Sequence, residues 1–403
     1  MFKVAKFGGT SIADKTGFRC VAKWVQEDED IRAIVLSAGG KTAKSKKVTD
    51  LLIDASEKII KGESIIKSLG PFTDRVLEDA ESIGLENFIK DELMKIGQEV
   101  EKNLSLDFIL SRGEYFYAKL FSLYYGLPFI DSANLIGFYN GGALNMGLSQ
   151  FQIVKAYEKY GKFVCGGFYG ALPNGQIKTF TRGGSDFSGA IVAKGLKAQA
   201  YLNFTDVDGV FPFAPSIKQS SPIKEISFDK IRLLGEFGTT VLHPASVLPL
   251  YGEGTEIIVK NTFNKIAIGT VVKEGSLSEP FAVGVKENCS YAKFIKRGCG
   301  YELLSRFSNC NKIICSVASL DFEEICFEGE FSEEFIQSMG LEFCQLQTGV
   351  SIFYLTLCDK TKDVISLLQK QRVTIFVSIF ESGAYLAVKS ENVNKVKEIV
   401  YNI

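Results

Sequence analysis

Six short apolar runs, spaced by longer mixed segments, constrain this chain most. VAKF (4–7), AIVLSA (33–38), FILS (108–111), FVCGGF (163–168), AYLNFT (200–205) and EIIVK (256–260) read as strands buried on both faces. Between them, 15–26, 114–125 and 150–160 carry apolar residues at helical spacing. Strands alternating with helices imply an α/β fold, a parallel sheet with helices on both faces. Residues 57–103 are charged and helix-rich. They read as a helical insertion and not as a separate domain.

The texture changes near Gly275. Two stretches then share an order of elements. One runs KENCSYAKFIK, a helix at 300–308, IICSVASL and EEICFEG. The other runs VSIFYLTL, a helix at 362–371, VTIFVSI, AYLAV and a last helix at 392–401. Strand, helix, strand, strand, helix, twice over, predicts a repeated small α+β module across 276–403. The expected division is therefore 1–275 and 276–403, in keeping with about two or three domains for 403 residues.

A formal net charge of −1 gives no general attraction to nucleic acid or an anionic membrane. Lys3 and Lys6 lead into glycines and not into an apolar signal core. No apolar run is long enough to span a bilayer. Seven of the nine cysteines lie between Cys289 and Cys358, several inside apolar runs, and no C-x-x-C pair occurs. That reads as reduced core cysteine in a cytoplasmic protein. With one histidine, His243, and no ligand spacing, no protein metal site is expected.

Sheets of this kind bind ligands at the carboxyl ends of their strands. Here those ends read KFGGT (6–10), SAGGK (37–41), SRGE (111–114), TRGGSD (181–186) and TDVDGVF (205–211). Glycine pairs let backbone N–H groups approach an anion, and a helix start beside them adds a favourable field. Each stretch also has a plain structural reading. Lys6 is a strand-end lysine reaching water, Ser185 a helix cap, and Glu114 an acid favoured at a helix start. Thr205 and Asp206 are an ordinary turn. Taken singly these readings compete well, but none explains the ordered set.

That ordered set, together with FGTTVLHP (237–244) and IGT (268–270), resembles the aspartate kinases of the amino-acid kinase superfamily. The likeness covers about residues 1 to 275, and the tail more loosely resembles the paired ACT modules of such kinases. The resemblance implies a parallel-sheet αβα sandwich followed by two ACT-like modules. It implies phosphoryl transfer from ATP, with Mg2+ held mainly by the ATP phosphates, to the side-chain carboxylate of L-aspartate. A carboxylate is already ionised at neutral pH, so no general base is needed. The requirement is charge neutralisation and in-line positioning.

On this resemblance Lys6 and Asp186 are the catalytic pair, with Lys6 on the moving phosphoryl group. Glu114 takes the substrate ammonium and Arg182 its α-carboxylate. Thr49 and Ser185 complete the substrate site. Lys6, Phe7, Gly8, Gly9, Ser37, Gly39, Thr205, Asp206, Phe211 and Thr240 are implied for ATP. His243 is structural. A homodimer through the tail and an amino-acid effector, lysine or threonine, are also implied.

The chain departs from the family pattern in places. Thr240 stands where a lysine is common, Ala214-Pro215-Ser216 replaces Asp-Pro-Arg, and Phe211 replaces tyrosine. The loop AKSKKV (43–48) adds Lys44, Lys46 and Lys47 before Thr49. Those lysines either replace lost phosphate charge or form a solvated loop. Three functions stand: an active aspartate kinase, a non-catalytic paralogue that binds aspartate or partners a true kinase, and a related kinase with another acceptor.

Overall fold

The run KVAKF forms strand β1 (Lys3–Phe7), third in a seven-stranded sheet. In chain order the other strands are β2 (Ile31–Leu36), β3 (Phe163–Gly166), β6 (Ala200–Thr205), β7 (Glu225–Ser227), β8 (Glu256–Asn261) and β9 (Thr270–Lys273). The spatial order is β3-β2-β1-β6-β8-β9-β7. Two short strands, β4 (Tyr169–Ala171) and β5 (Ile177–Thr179), pair as a separate hairpin. The computed structural model describes residues 2–180, 183–213, 220–238, 242, 244–275, 281–295, 313–319, 321–338, 343–381 and 383–402.

β1 is flanked by two parallel neighbours, β2 and β6, so that Lys6 stands opposite Val35 and Asn203. The chain builds outward from β1 to β2 and β3, then crosses to β6 on the other side. This reversal opens a crevice at the carboxyl ends of the strands. Within the sheet only β8 with β9 is antiparallel among the described pairings.

Helices cover the sheet. They are α1 (Lys15–Glu27), α2 (Val48–Ile60), α3 (Ile65–Ser82), α4 (Glu86–Lys102), α5 (Leu106–Tyr125), α6 (Met146–Tyr160) and α7 (Gly184–Gly195). Local chemistry sets several of their ends. Asp14 accepts from the Gly17 N–H at 2.9 Å to start α1, and Gly126 at φ +78° stops α5. The expected insertion is the trio α2, α3 and α4. It packs on α5 and shares one apolar core with the sheet, in which Phe72, Phe116, Phe121 and Phe204 are fully or almost fully buried.

One expected strand is corrected. FILS is part of α5, whose cap is Ser105 accepting from the Phe108 N–H at 3.1 Å. This helix is buried on most of its circumference, because the sheet lies on one side and the insertion on the other. An apolar run buried all round has no period that separates helix from strand. Glu114 therefore sits in the middle of a helix and not at its start.

The described residues divide into two compact units. The first is Met1–Val210, Pro222–Phe228 and Val241–Ser276, and the second is Phe211–Ser221, Asp229–Thr240 and Leu277–Ile403. The second contains a six-stranded antiparallel sheet. Its strands are β10 (Val283–Ile295), β11 (Ile313–Ala318), β12 (Phe322–Glu328), β13 (Phe343–Leu355), β14 (Thr374–Phe380) and β15 (Gly383–Lys389). The order β11-β12-β10-β13-β15-β14 is two like halves joined along β10 and β13. Helices Asp359–Lys370 and Val393–Tyr401 pack Val364, Leu368, Val396 and Val400 on the half carrying Phe353 and Leu386. The other half centres on Phe294, Ile325, Phe327 and Ile336. The helix expected at 300–308 lies outside the described residues.

Cys165, Cys289, Cys315 and Cys326 are buried and free. Among the described residues no helix is long and apolar enough to cross a membrane.

Candidate active site

Lys6 is the last charged residue of β1, and its ammonium emerges where the strand order reverses. The side chain is only 9% exposed. Its Nζ lies 2.5 Å from Oδ1 of Asp186, in the first turn of α7. Asn203, opposite Lys6 on β6, joins the two. Its Oδ1 accepts from Lys6 Nζ at 3.5 Å, and its Nδ2 donates to Asp186 Oδ1 at 3.2 Å. Tyr201, two residues earlier on the same strand, donates its hydroxyl to the Asp186 carbonyl at 3.0 Å. Two partners from β6 thus fix the start of α7 against β1.

Lys6 and Asp186 border a cavity of about 550 Å³ in the first unit. Gly9, Thr10, Ser37, Gly39, Gly40, Lys47, Thr49, Glu114, Phe168, Thr179, Phe180 and Gly183 to Ser185 also line it. Gly9 and Gly40 meet closely, with the Gly40 N–H bonded to the Gly9 carbonyl at 2.9 Å. A Cβ on Gly9 would stand 2.7 Å from the Ala38 carbonyl oxygen. Only glycine lets these two strand ends close on each other.

The opposite wall comes from α5 and the β5 turn. Asp107 near the start of α5 takes Lys178 Nζ at 2.9 Å and both the N–H and hydroxyl of Thr179. That clamp seats Thr179 and Phe180 at the cavity edge. One turn of helix past Leu110, Glu114 is 5% exposed, and its Oε2 finds no partner among the described residues. Burial pushes its pKa up to about 8, against the N–H groups of Glu114 and Ala38 and the charge of Arg112, which favour ionisation. A buried carboxyl with an idle oxygen, on a residue that lines a cavity, is suited to a cationic ligand.

The structure brings together Lys6, Gly9, Ser37, Gly39, Thr49, Glu114, Ser185 and Asp186 from the expected set. Phe7 and Gly8 do not line the cavity. The Phe7 ring is fully buried and stacks on Phe204 at 4.4 Å, because alternation along β1 sends it to the face opposite Lys6. The Gly8 N–H is engaged by the Phe204 carbonyl at 3.1 Å. Thr205, the last residue of β6, and Asp206, just past it, are also absent from the lining. Phe211 belongs to the second unit. Arg182, Thr240, His243 and Ala214-Pro215-Ser216 lie outside the described residues.

Sequence reading missed Asn203 and the aromatic edge of Phe168 and Phe180, and it held Thr10 and Gly40 only as parts of KFGGT and SAGGK, with no role of their own. Asn203 had a signal, as the one amide in the buried run AYLNFT. Among the described residues no group of three or more Asp, Glu, Cys or His could hold a metal.

The amino acid kinase family model matches residues 1–261. Aspartokinase 3 of Bacillus subtilis (strain 168) is 31% identical over 307 residues, which cover 72% of this chain and 67% of that protein. The crystal structure of Clostridium acetobutylicum aspartate kinase superposes with a TM-score of 0.88 at 25% identity, covering 100% of this chain and 99% of that one. Escherichia coli aspartokinase III in complex with aspartate and ADP gives a TM-score of 0.80 at 20% identity, with coverage of 100% and 99%. A family match over residues 1–261, joined to likeness along the full chain, leads to one assignment: the chain belongs to the amino acid kinase family, among its aspartokinases.

Proposed function

We infer that this chain is an aspartate kinase, an ATP-dependent phosphotransferase that gives 4-phospho-L-aspartate. One observation carries the reading. A buried, cation-seeking carboxylate, Glu114, shares a cavity with the Lys6–Asp186 pair. Such a cavity suits a substrate that has an ammonium at one end and accepts a phosphoryl group at the other.

In the proposed reaction the aspartate side-chain carboxylate attacks the γ-phosphorus in line and ADP departs. No proton need be removed from the nucleophile. Lys6 stabilises charge on the equatorial oxygens, and Asp186 with Asn203 holds its ammonium in place. The glycine strand ends and the start of α7 offer N–H groups to phosphate. Glu114 ionises on taking the substrate ammonium. Thr49 and Ser185 donate hydroxyls, and Arg182 takes the α-carboxylate as a planar fork. Thr205 and Asp206 serve the nucleoside end. Mg2+ held by the ATP phosphates would supply charge neutralisation there.

The tail is proposed to pair two copies of the chain and to bind lysine or threonine as effector. Reduced, buried cysteines suit the cytoplasm.

The test is a hydroxylamine-trapping assay with purified protein, ATP and Mg2+. Aspartate should give a hydroxamate, and glutamate should give little. No product with aspartate would overturn the reading in favour of a non-catalytic paralogue. Added lysine or threonine in the same assay tests the effector.

A further inference from the structure

Arg75 belongs to α3, in the helical insertion, and does not line the cavity. Yet it is 3% exposed and is bonded to three segments around that cavity. Its Nη2 donates to the Ala13 carbonyl at 2.8 Å and the Gly40 carbonyl at 3.3 Å. Its Nη1 donates to the Lys46 carbonyl at 3.2 Å. Ala13 closes the turn after KFGGT, Gly40 ends the second glycine stretch, and Lys46 precedes Lys47 and Thr49.

The guanidinium is itself held. Its Nε donates to Asp79 Oδ2 at 2.8 Å, one turn along α3. The Tyr117 hydroxyl from α5 donates to the same oxygen. The fully buried Tyr117 ring fills the space beside Gly39, where a Cβ would stand 2.3 Å from the ring carbon Cζ. So one network reaches from the insertion to both glycine strand ends and to the lysine loop.

A plain packing role would need only an apolar side chain here. What is present is a planar fork of N–H donors that meets carbonyls from separate segments and a carboxylate at once. Each carbonyl so fixed also fixes its peptide plane, and hence the direction of the following N–H.

We propose that Arg75 is a positioning residue for nucleotide phosphate: through Ala13, Gly40 and Lys46 it sets the spacing of the two glycine-bearing strand ends, and Asp79 and Tyr117 hold it there. The choice of nucleotide rests on the aspartate-kinase reading. The role predicts a split in the kinetics. Loosened glycine ends weaken phosphate binding, whereas Glu114 on α5 keeps its place for the amino acid.

The test uses the full chain with Arg75→Lys, Asp79→Asn and Tyr117→Phe. Steady-state constants, Mg·ADP titration calorimetry and thermal melts are measured together. Arg75→Lys keeps the charge but loses the fork, so KM for ATP and Kd for Mg·ADP should rise about tenfold, with KM for aspartate within about twofold. Asp79→Asn and Tyr117→Phe should raise the same two constants by about threefold. Arg75→Ala should be worse, and free guanidinium should restore part of its ATP affinity.

Wild-type ATP and ADP constants in Arg75→Lys, whatever its melting temperature, would overturn the proposal. So would an equal rise in both KM values. If Arg75→Lys fails to fold, unchanged nucleotide constants in both Asp79→Asn and Tyr117→Phe overturn it. Wild-type protein that binds Mg·ADP but leaves aspartate untouched defeats the aspartate-kinase reading alone, and the ADP constants still decide for or against Arg75. Wild-type protein that binds no nucleotide defeats both.

Discussion

Lys6 lies near the end of β1 and Asp186 in the first turn of α7, far apart in the chain, yet their charged atoms stand 2.5 Å apart with side chains 9% and 17% exposed. The pair points at a function in which a fixed ammonium meets developing negative charge. Lys6→Ala should lower kcat by about 10²–10³ or more, with aspartate KM little changed. Lys6→Arg should not rescue, because the wider guanidinium cannot occupy the space between Asp186 and Asn203. Steady-state kinetics on folded variants decides. Near-wild-type turnover in Lys6→Ala would sink this assignment.

Asn203 bonds both members of that pair from the neighbouring strand. Asn203→Leu keeps the branched outline, though it is bulkier, and removes both bonds. It should cut kcat about tenfold to a hundredfold, since a small misplacement of a catalytic group is costly. Asn203→Asp should cut it further by drawing Lys6 away from the phosphates. If Asn203→Leu leaves kcat unchanged, the amide is only a strand filler.

The sheet and the pocket were legible to different depths. VAKF, AIVLSA, FVCGGF, AYLNFT and EIIVK fall on β1, β2, β3, β6 and β8, because parallel strands covered on both faces show as bare apolar runs. The doubled order of tail elements reappears as two like halves of one sheet. FILS was misread because α5 is buried all round, and no period marks such a segment. β7 and β9 are short and only partly apolar, so they were missed. At the site, Lys6, Glu114 and Asp186 announced themselves at strand ends or beside glycines. Arg75, Asp79 and Tyr117 did not. They act through bonds between α3, α5 and distant loops, and nothing local to those helices reports that.

Glu114 should make aspartate binding strongly pH-dependent. Burial holds its pKa near 8 in the free protein. A substrate ammonium favours the ionised form, so binding must expel the proton below that value. Aspartate affinity should rise about tenfold per unit between about pH 6 and pH 8, then level off. At about pH 7, calorimetry in buffers of different ionisation enthalpy should report release of about 0.9 proton. Binding with no proton release would contradict this.

The same group tilts stability. Its folded pKa of about 8 exceeds the ordinary 4.5, so the native state binds more protons in that window. Folding stability from this group is therefore lost as pH rises from about 4.5 to about 8, and is flat above. Glu114→Gln should flatten that slope in denaturant melts at a series of pH values, while abolishing aspartate binding. A wild-type slope in the variant would refute the link.

Gly9 should not tolerate even a methyl group. Its Cβ would stand 2.7 Å from the Ala38 carbonyl oxygen and 3.3 Å from the Gly40 nitrogen, all backbone. No flexible side chain can yield. Gly9→Ala should cost about 1–3 kcal/mol in urea unfolding and weaken ADP binding through the displaced strand end. By contrast Gly62→Ala, on an open surface turn at φ +86° with nothing within 4 Å, should leave ADP binding unchanged. Equal effects of the two on ADP binding would remove the steric argument.

The lysine loop divides into separate roles. Lys46 pairs with Asp54 at 2.8 Å, with side chains 65% and 48% exposed. Lys44 is exposed, and of the three only Lys47 lines the cavity with Lys6. Lys47→Ala should thus raise KM for ATP about threefold to tenfold, a contact weakened by solvent but not lost. Lys44→Ala and Lys46→Ala should leave it unchanged. Because the contact is exposed, rising ionic strength should erode the difference between wild type and Lys47→Ala. An unchanged KM for ATP in the triple alanine variant would make the loop a solvated surface with no part in phosphate binding.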